Sequence, residues 1–181
     1  MYKKTLFIFA SLFILLSLSG VIYADKPGNN LKDGTVIVWE NGNYLNHIQA
    51  ITGSNKTHAA IILYEDGMPY VYEASRPDVH RYPLASYYEI IEEHYERLPK
   101  LKVYFIEPKK EYTKEELIKM KIYANDQLGR AFGVGSYFSR RSLITIHCGE
   151  YVGNVIGKSG RIDSLGPIET PKTIYEKANK L

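Results

Sequence analysis

The chain has 181 residues, 45% of them hydrophobic and 24% charged, which fits one globular domain and excludes a disordered tail-like protein. Lys3 and Lys4 supply two of its three net positive charges, so the remainder is near neutral and lacks the basic footprint of a nucleic-acid binder. One cysteine, Cys148, excludes an internal disulfide and leaves a lone thiol: a small buried hydrophobe or a reactive group.

Lys3 and Lys4 precede the apolar run Leu6–Leu16, and Ile22-Tyr23-Ala24 ends it with a small residue before Asp25. This order predicts a signal peptide over residues 1–24 and an exported protein, secreted or held in the cell envelope. The alternative is an uncleaved anchor, because no charge interrupts Leu6–Tyr23 and that length just spans a bilayer; membrane association through the N-terminus would follow. Residues 25–31, with Pro27, Gly28 and two Asn, read as a linker, and residues 32–181 as the domain.

Within the domain, Thr35–Trp39 is a β-branched run and predicts a buried strand, followed by a short helix over Tyr44–Ile51. His58–Tyr64 and Tyr70–Ala74 flank Asp66-Gly67, the signature of a two-residue hairpin turn. Ser86–Arg97 has Tyr88, Ile91 and Tyr95 at helical spacing, and Val103–Ile106 predicts a strand. Thr113-Lys114-Glu115-Glu116 forms a capping box, opening a helix whose apolar stripe is Leu117, Met120, Ala124 and Leu128. Gly129–Ser142 reads as a loop. A helix is expected to start near Cys148 and run to Val155, and Thr170-Pro171 opens a last one. Strands and helices in this mixed order, with one hairpin, predict an α+β class.

If Asp66 and Gly67 are the two turn residues, Ala60 faces Glu73 and His58 faces Ser75. His58, Ala60, Ile62, Val71, Glu73 and Ser75 then share one face. His58 and Glu73 become diagonal neighbours about 7–8 Å apart at the backbone, within reach of long side chains. A carboxylate there would fix the imidazole tautomer, as in a nucleophile–base–orienter triad; the plainer reading is a surface ion pair. Cys148, at an expected helix N-terminus, would be the nucleophile, with its thiolate favoured by the positive end of the helix dipole and its backbone N–H placed for an oxyanion. Gly149 is expected to let substrate approach. His147 is a rival base, though adjacent residues point apart and a capping or packing role fits it better. Tyr44, Tyr137 and Tyr151 are candidate groove liners or core residues. Asn55-Lys56-Thr57 matches a glycosylation acceptor. Five histidines are present, but no His-Glu-x-x-His or paired-cysteine spacing marks a metal site, and no glycine-rich phosphate loop appears; neither cofactor nor metal is expected.

Three segments together resemble the circularly permuted papain-fold cysteine hydrolases, the YiiX-like branch of the NlpC-type superfamily. They are Leu31-Lys32-Asp33-Gly34-Thr35-Val36-Ile37; Thr57-His58-Ala59-Ala60-Ile61 with Tyr72-Glu73-Ala74-Ser75; and His147-Cys148-Gly149-Glu150-Tyr151-Val152. Gly129-Arg130-Ala131-Phe132 and Thr170-Pro171 also look like family elements. The order, histidine first and cysteine last, is the reverse of unpermuted papain-like enzymes. The resemblance implies an antiparallel sheet packed against helices, with Cys148 as nucleophile, His58 as base and Glu73 as orienter. It also implies cleavage of a peptide, envelope amide or ester bond through an acyl-cysteine. A lipid acyl group is a further substrate class, since permuted relatives include acyltransferases similar to lecithin:retinol acyltransferase. The chain departs from the family pattern at Thr35, where Asp is frequent, and at Gly149, where Ser is frequent; both bear on substrate preference. The rival from another class is a non-catalytic domain that binds envelope peptides or lipids.

Overall fold

In a computed structural model of the protein, the described residues are 30–43, 45–141, 144–163 and 166–181. The expected signal segment and Tyr44 lie outside them. No helix among the described residues is long and apolar enough to cross a membrane.

Five strands form one antiparallel sheet: β1 (Val36–Glu40), β2 (Lys56–Glu65), β3 (Met68–Ala74), β4 (Val79–Pro83) and β5 (Lys102–Ile106), in the order β4-β3-β2-β1-β5. The helices are α1 (Leu45–Thr52), α2 (Leu84–Arg97), α3 (Lys114–Asp126), α4 (Gly135–Ser139), α5 (Cys148–Gly157) and α6 (Pro171–Ala178). The molecule is thus of the α+β class. β1 and β2 are apolar on both faces because both faces are covered. Val36, Val38, Ala59, Ile61, Tyr72 and Ala74 pack with residues of α3, α5 and α6. Ile37, Trp39, Ala60, Ile62 and Val71 pack on the other side with Leu84, Tyr87 and Ile91 of α2. Each such side chain, fully buried, contributes roughly 1.5–3 kcal/mol.

The hairpin register agrees with the sequence expectation. Ala60 pairs with Glu73, Ile62 with Val71 and Glu65 with Met68, around a turn in which Asp66 and Gly67 both adopt positive φ, 49° and 79°. That is the left-handed geometry a tight hairpin needs. Ser75 lies on the expected face, with its Oγ on Glu73 Oε1, but the expected pairing of His58 with Ser75 fails. Ala60 and Glu73 are the terminal pair, the Ser75 N–H donates to the Asp78 carbonyl (3.2 Å), and His58 is paired instead with Trp39 of β1. Both capped helices form as read: the Thr113 and Thr170 hydroxyls each accept from the third backbone N–H of their helix, and their own backbone N–H groups donate to the side chains of Glu116 and Thr173.

Four further expectations are corrected. The innermost tyrosine of α2 is Tyr87, one residue before Tyr88, because Leu84, Tyr87 and Ile91 are the positions that face the sheet. Leu128 is largely exposed, since α3 ends at Asp126. The stretch expected to be a loop contains the short helix α4 and bridges to Asp78 and Ile146. Strand β4 was not anticipated at all.

Candidate active site

Cys148 is the first residue of α5, and the preceding His147 is its N-cap. α5 is seated by the Tyr151 hydroxyl, which donates to the Ala124 carbonyl of α3 (3.2 Å). Tyr151 is fully buried, a core residue rather than a groove liner. His147 caps as expected: its Nδ1 accepts from the Glu150 N–H (3.3 Å), and its Nε2 donates to the Pro167 carbonyl (2.9 Å). Those two bonds together require the neutral ring. The neighbouring Cys148 pulls the other way and raises the His147 pKa against burial. The backbone partners on both ring nitrogens decide for the neutral tautomer, so the positive charge beside the thiol is assigned to His58.

The sheet brings His58 and Glu73 together: Glu73 Oε2 accepts from His58 Nε2 at 2.8 Å. With Nε2 engaged, Nδ1 is the nitrogen left to serve Cys148, the group that together with Glu73 raises the His58 pKa. Burial disfavours a charged His58, but the Glu73 carboxylate and Cys148 outweigh it and push the pKa up to about 10. Burial likewise disfavours the Cys148 thiolate, and the two adjacent imidazoles, His147 and His58, bring its pKa down to about 6. Burial alone would raise Glu73; its two imidazole partners, His58 and His80, hold it well below the usual carboxylate range. The opposed shifts, His58 up and Cys148 down, favour a thiolate–imidazolium pair near neutral pH, and the two values belong to the pair as a unit.

Glu73 is bound on all sides. Beyond His58, its Oε2 accepts from the Tyr87 hydroxyl (3.0 Å), and its Oε1 accepts from Ser75 Oγ (2.9 Å) and His80 Nε2 (3.0 Å). His80 Nδ1 lies 3.3 Å from Asp78 Oδ1, so both its nitrogens face carboxylates and its pKa is raised. Trp39 stands edge-on to His58, with ring centroids 5.8 Å apart. Sequence reasoning missed His80, Tyr87 and Trp39. Strand β4 would have located His80, but Val79-His80-Arg81-Tyr82-Pro83 has a charged and proline-ended pattern that does not read as a strand.

Gly149 serves a different purpose from the one expected. A Cβ there would lie 2.4 Å from the Glu169 carbonyl oxygen, so the bare backbone admits the chain entering α6, not a substrate. Glu150 is fully buried and accepts from Ser136 Oγ of α4 (2.6 Å). Tyr137 is half-buried, edge-on to His147 at 6.1 Å.

No protein-family model and no curated protein matches the chain. Among solved structures it is similar to the metalloprotein YiiX from Escherichia coli O157:H7, with 22% identity and a TM-score of 0.53 over 71% of this chain and 66% of that one. The fold is therefore YiiX-like, and the chain spans about two thirds of that relative's length. The match extends to architecture alone. The YiiX protein is named for a metal, yet among the described residues of this chain no three His, Cys, Asp or Glu side chains are arranged to hold a metal ion. The Nε2 atoms of His58 and His80 are both engaged by the Glu73 carboxylate.

Proposed function

We propose that the protein is an exported cysteine hydrolase of permuted papain-like fold that cleaves an amide or ester of the cell envelope through an acyl-cysteine. The observation that carries this reading is the histidine whose Nε2 is 2.8 Å from a buried glutamate, electrostatically coupled to a thiol at the first position of a helix. Export rests on the lysine-then-apolar pattern of residues 1–24.

The Cys148 thiolate attacks the carbonyl carbon; a C–S bond forms as the carbonyl π pair moves to oxygen. That oxyanion lies near the Cys148 N–H, at the positive end of α5. The His58 imidazolium gives its Nδ1 proton to the leaving nitrogen or oxygen as the scissile bond breaks. His58, now neutral, takes a proton from water, which attacks the thioester and releases the acid and the thiolate. Glu73 stays ionised throughout and stabilises the imidazolium.

The test is mass spectrometry of the protein after incubation with envelope extracts and with simple amide and ester donors. An acyl adduct on Cys148 that is absent in Cys148→Ala is expected, and its mass names the acyl group. Finding no adduct with any donor, together with alkylation no faster than a free thiol at neutral pH, would leave a binding domain as the better reading.

A further inference from the structure

The surroundings of Cys148 differ from the rest of the surface in two ways. First, nine large hydrophobic side chains are exposed among the described residues, and four of them lie in the segments before and after Cys148 in the chain: Val134 (39%), Phe138 (63%), Ile144 (90%) and Ile168 (52%). A chain of contacts ties Phe138 and Ile168 to the site, and the Gly133 N–H, which donates to the Ile146 carbonyl, joins the segments of Val134 and Ile144. Phe138 stacks edge-on against Tyr137 (5.7 Å), Tyr137 against His147 (6.1 Å), and His147 bonds to Pro167, next to Ile168. Second, residues 127–149 contain no acid at all, in a chain with 20 acids, yet carry Arg130, Arg140 and Arg141. Arg140 and Arg141 are exposed at the end of α4, and Arg140 sits in the left-handed conformation that stops the helix.

Protruding apolar side chains on α4 and the loops around it, with arginines beside them in a stretch that carries no acid of its own, match what an anionic bilayer surface binds. The apolar tips enter the acyl boundary while the guanidinium groups stay at headgroup level. A peptide partner would instead be met by a groove with aligned hydrogen-bonding groups, which these isolated side chains do not form. We propose that the rim formed by Val134, Phe138, Arg140, Arg141, Ile144 and Ile168 docks the mouth of the Cys148 site onto an anionic lipid surface. This docking goes beyond the hydrolase reading and does not depend on it, since the thiol takes no part in it.

The chain contains one tryptophan, Trp39, and it is buried, so Phe138→Trp in the full-length protein is a clean reporter of the rim. The parent protein supplies the Trp39 background, and circular dichroism checks folding. Vesicles of phosphatidylcholine with phosphatidylglycerol should shift the reporter's emission to the blue, and brominated acyl chains should quench it. Pure phosphatidylcholine vesicles should do neither. Arg140→Glu with Arg141→Glu in the reporter background should weaken partitioning by at least about tenfold, and added salt should weaken it further. Cys148→Ala should leave it unchanged, which separates this test from that of the catalytic reading. Three results overturn the proposal: no shift with anionic vesicles, an equal shift with neutral ones, or emission already blue and insensitive to vesicles. The last would mean that another part of the chain covers the rim. Membrane attachment through residues 1–24 alone would leave the reporter silent even while the protein sediments with vesicles.

Discussion

At the residue scale, the site's chemistry turns on how one proton is shared between Cys148 and His58. The pH dependence of Cys148 alkylation should rise with a midpoint about 6, well below the ordinary thiol range. His58→Ala should move it up by more than His147→Ala does, because His58 carries the positive charge while both ring nitrogens of the neutral cap are held by backbone groups. Equal shifts in the two variants would reassign the charge to His147. Turnover should fall again as pH rises through about 10, where His58 loses its proton. Glu73→Gln should lower turnover by roughly two to four orders of magnitude while the protein stays folded, as for other orienting carboxylates. Ser75→Ala is not a silent control, since Ser75 holds Glu73 Oε1; it should cost about tenfold or less, one neutral hydrogen bond. His80 acts on the same oxygen as a positioning residue. His80→Gln should retain part of the bond and change the low-pH limb of the profile, whereas a purely structural role would scale the profile without changing its shape.

At the scale of elements, α5 and the entry to α6 meet at Gly149, where a Cβ would lie 2.4 Å from the Glu169 carbonyl oxygen. Gly149→Ala should destabilise the fold by roughly 1–3 kcal/mol, the usual range for overpacking, and raise the Cys148 alkylation midpoint as the helix start shifts. A urea midpoint and an alkylation midpoint both equal to wild type would show that the 169–170 segment yields freely. The sequence displayed this element only in part. The hairpin register was legible because Asp66-Gly67 admits one turn geometry and the alternation on either side admits one face. Cys148 at a helix start was legible from the apolar run before it. Strand β4 was not, because its five residues include His80 and Arg81 and end in Pro83, a polar and proline-ended pattern tolerated in an edge strand with one side unpaired. Losing β4 hid the second histidine on Glu73. The purpose of Gly149 was hidden as well, since its contact is with a segment twenty residues away and leaves no local pattern.

For the whole molecule, the same protonation values govern stability. The folded Cys148 pKa is lowered, so its contribution is fully present above the unfolded value and is lost as pH falls through about 6. The folded His58 pKa is raised, so its contribution is fully present below the unfolded value and is lost as pH rises through about 10. Between the unfolded histidine value, about 6.5, and the unfolded thiol value, about 8.5, folding releases one proton from the cysteine and takes one up at the histidine. The two slopes cancel, and denaturant midpoints should vary little with pH on account of this pair. Cys148→Ala removes one side of the balance. The variant should lose stability as pH rises through whatever value Glu73 alone sets for His58, and a pH dependence identical to wild type would mean that the pair does not exist as an ion pair.

The packing of Gly149 beneath Glu169 and Thr170 also sets the order in which the protein becomes chemically competent during synthesis. His58, Glu73 and their hairpin emerge from the ribosome long before Cys148, and the cysteine emerges before the segment that seats its helix. α6 packs on α5, β1 and β2, so a chain ending short of residue 170 lacks the segment that seats the Cys148 helix. A ribosome-stalled chain ending short of that point should display a slowly alkylating cysteine, and release of the last turn should switch it on.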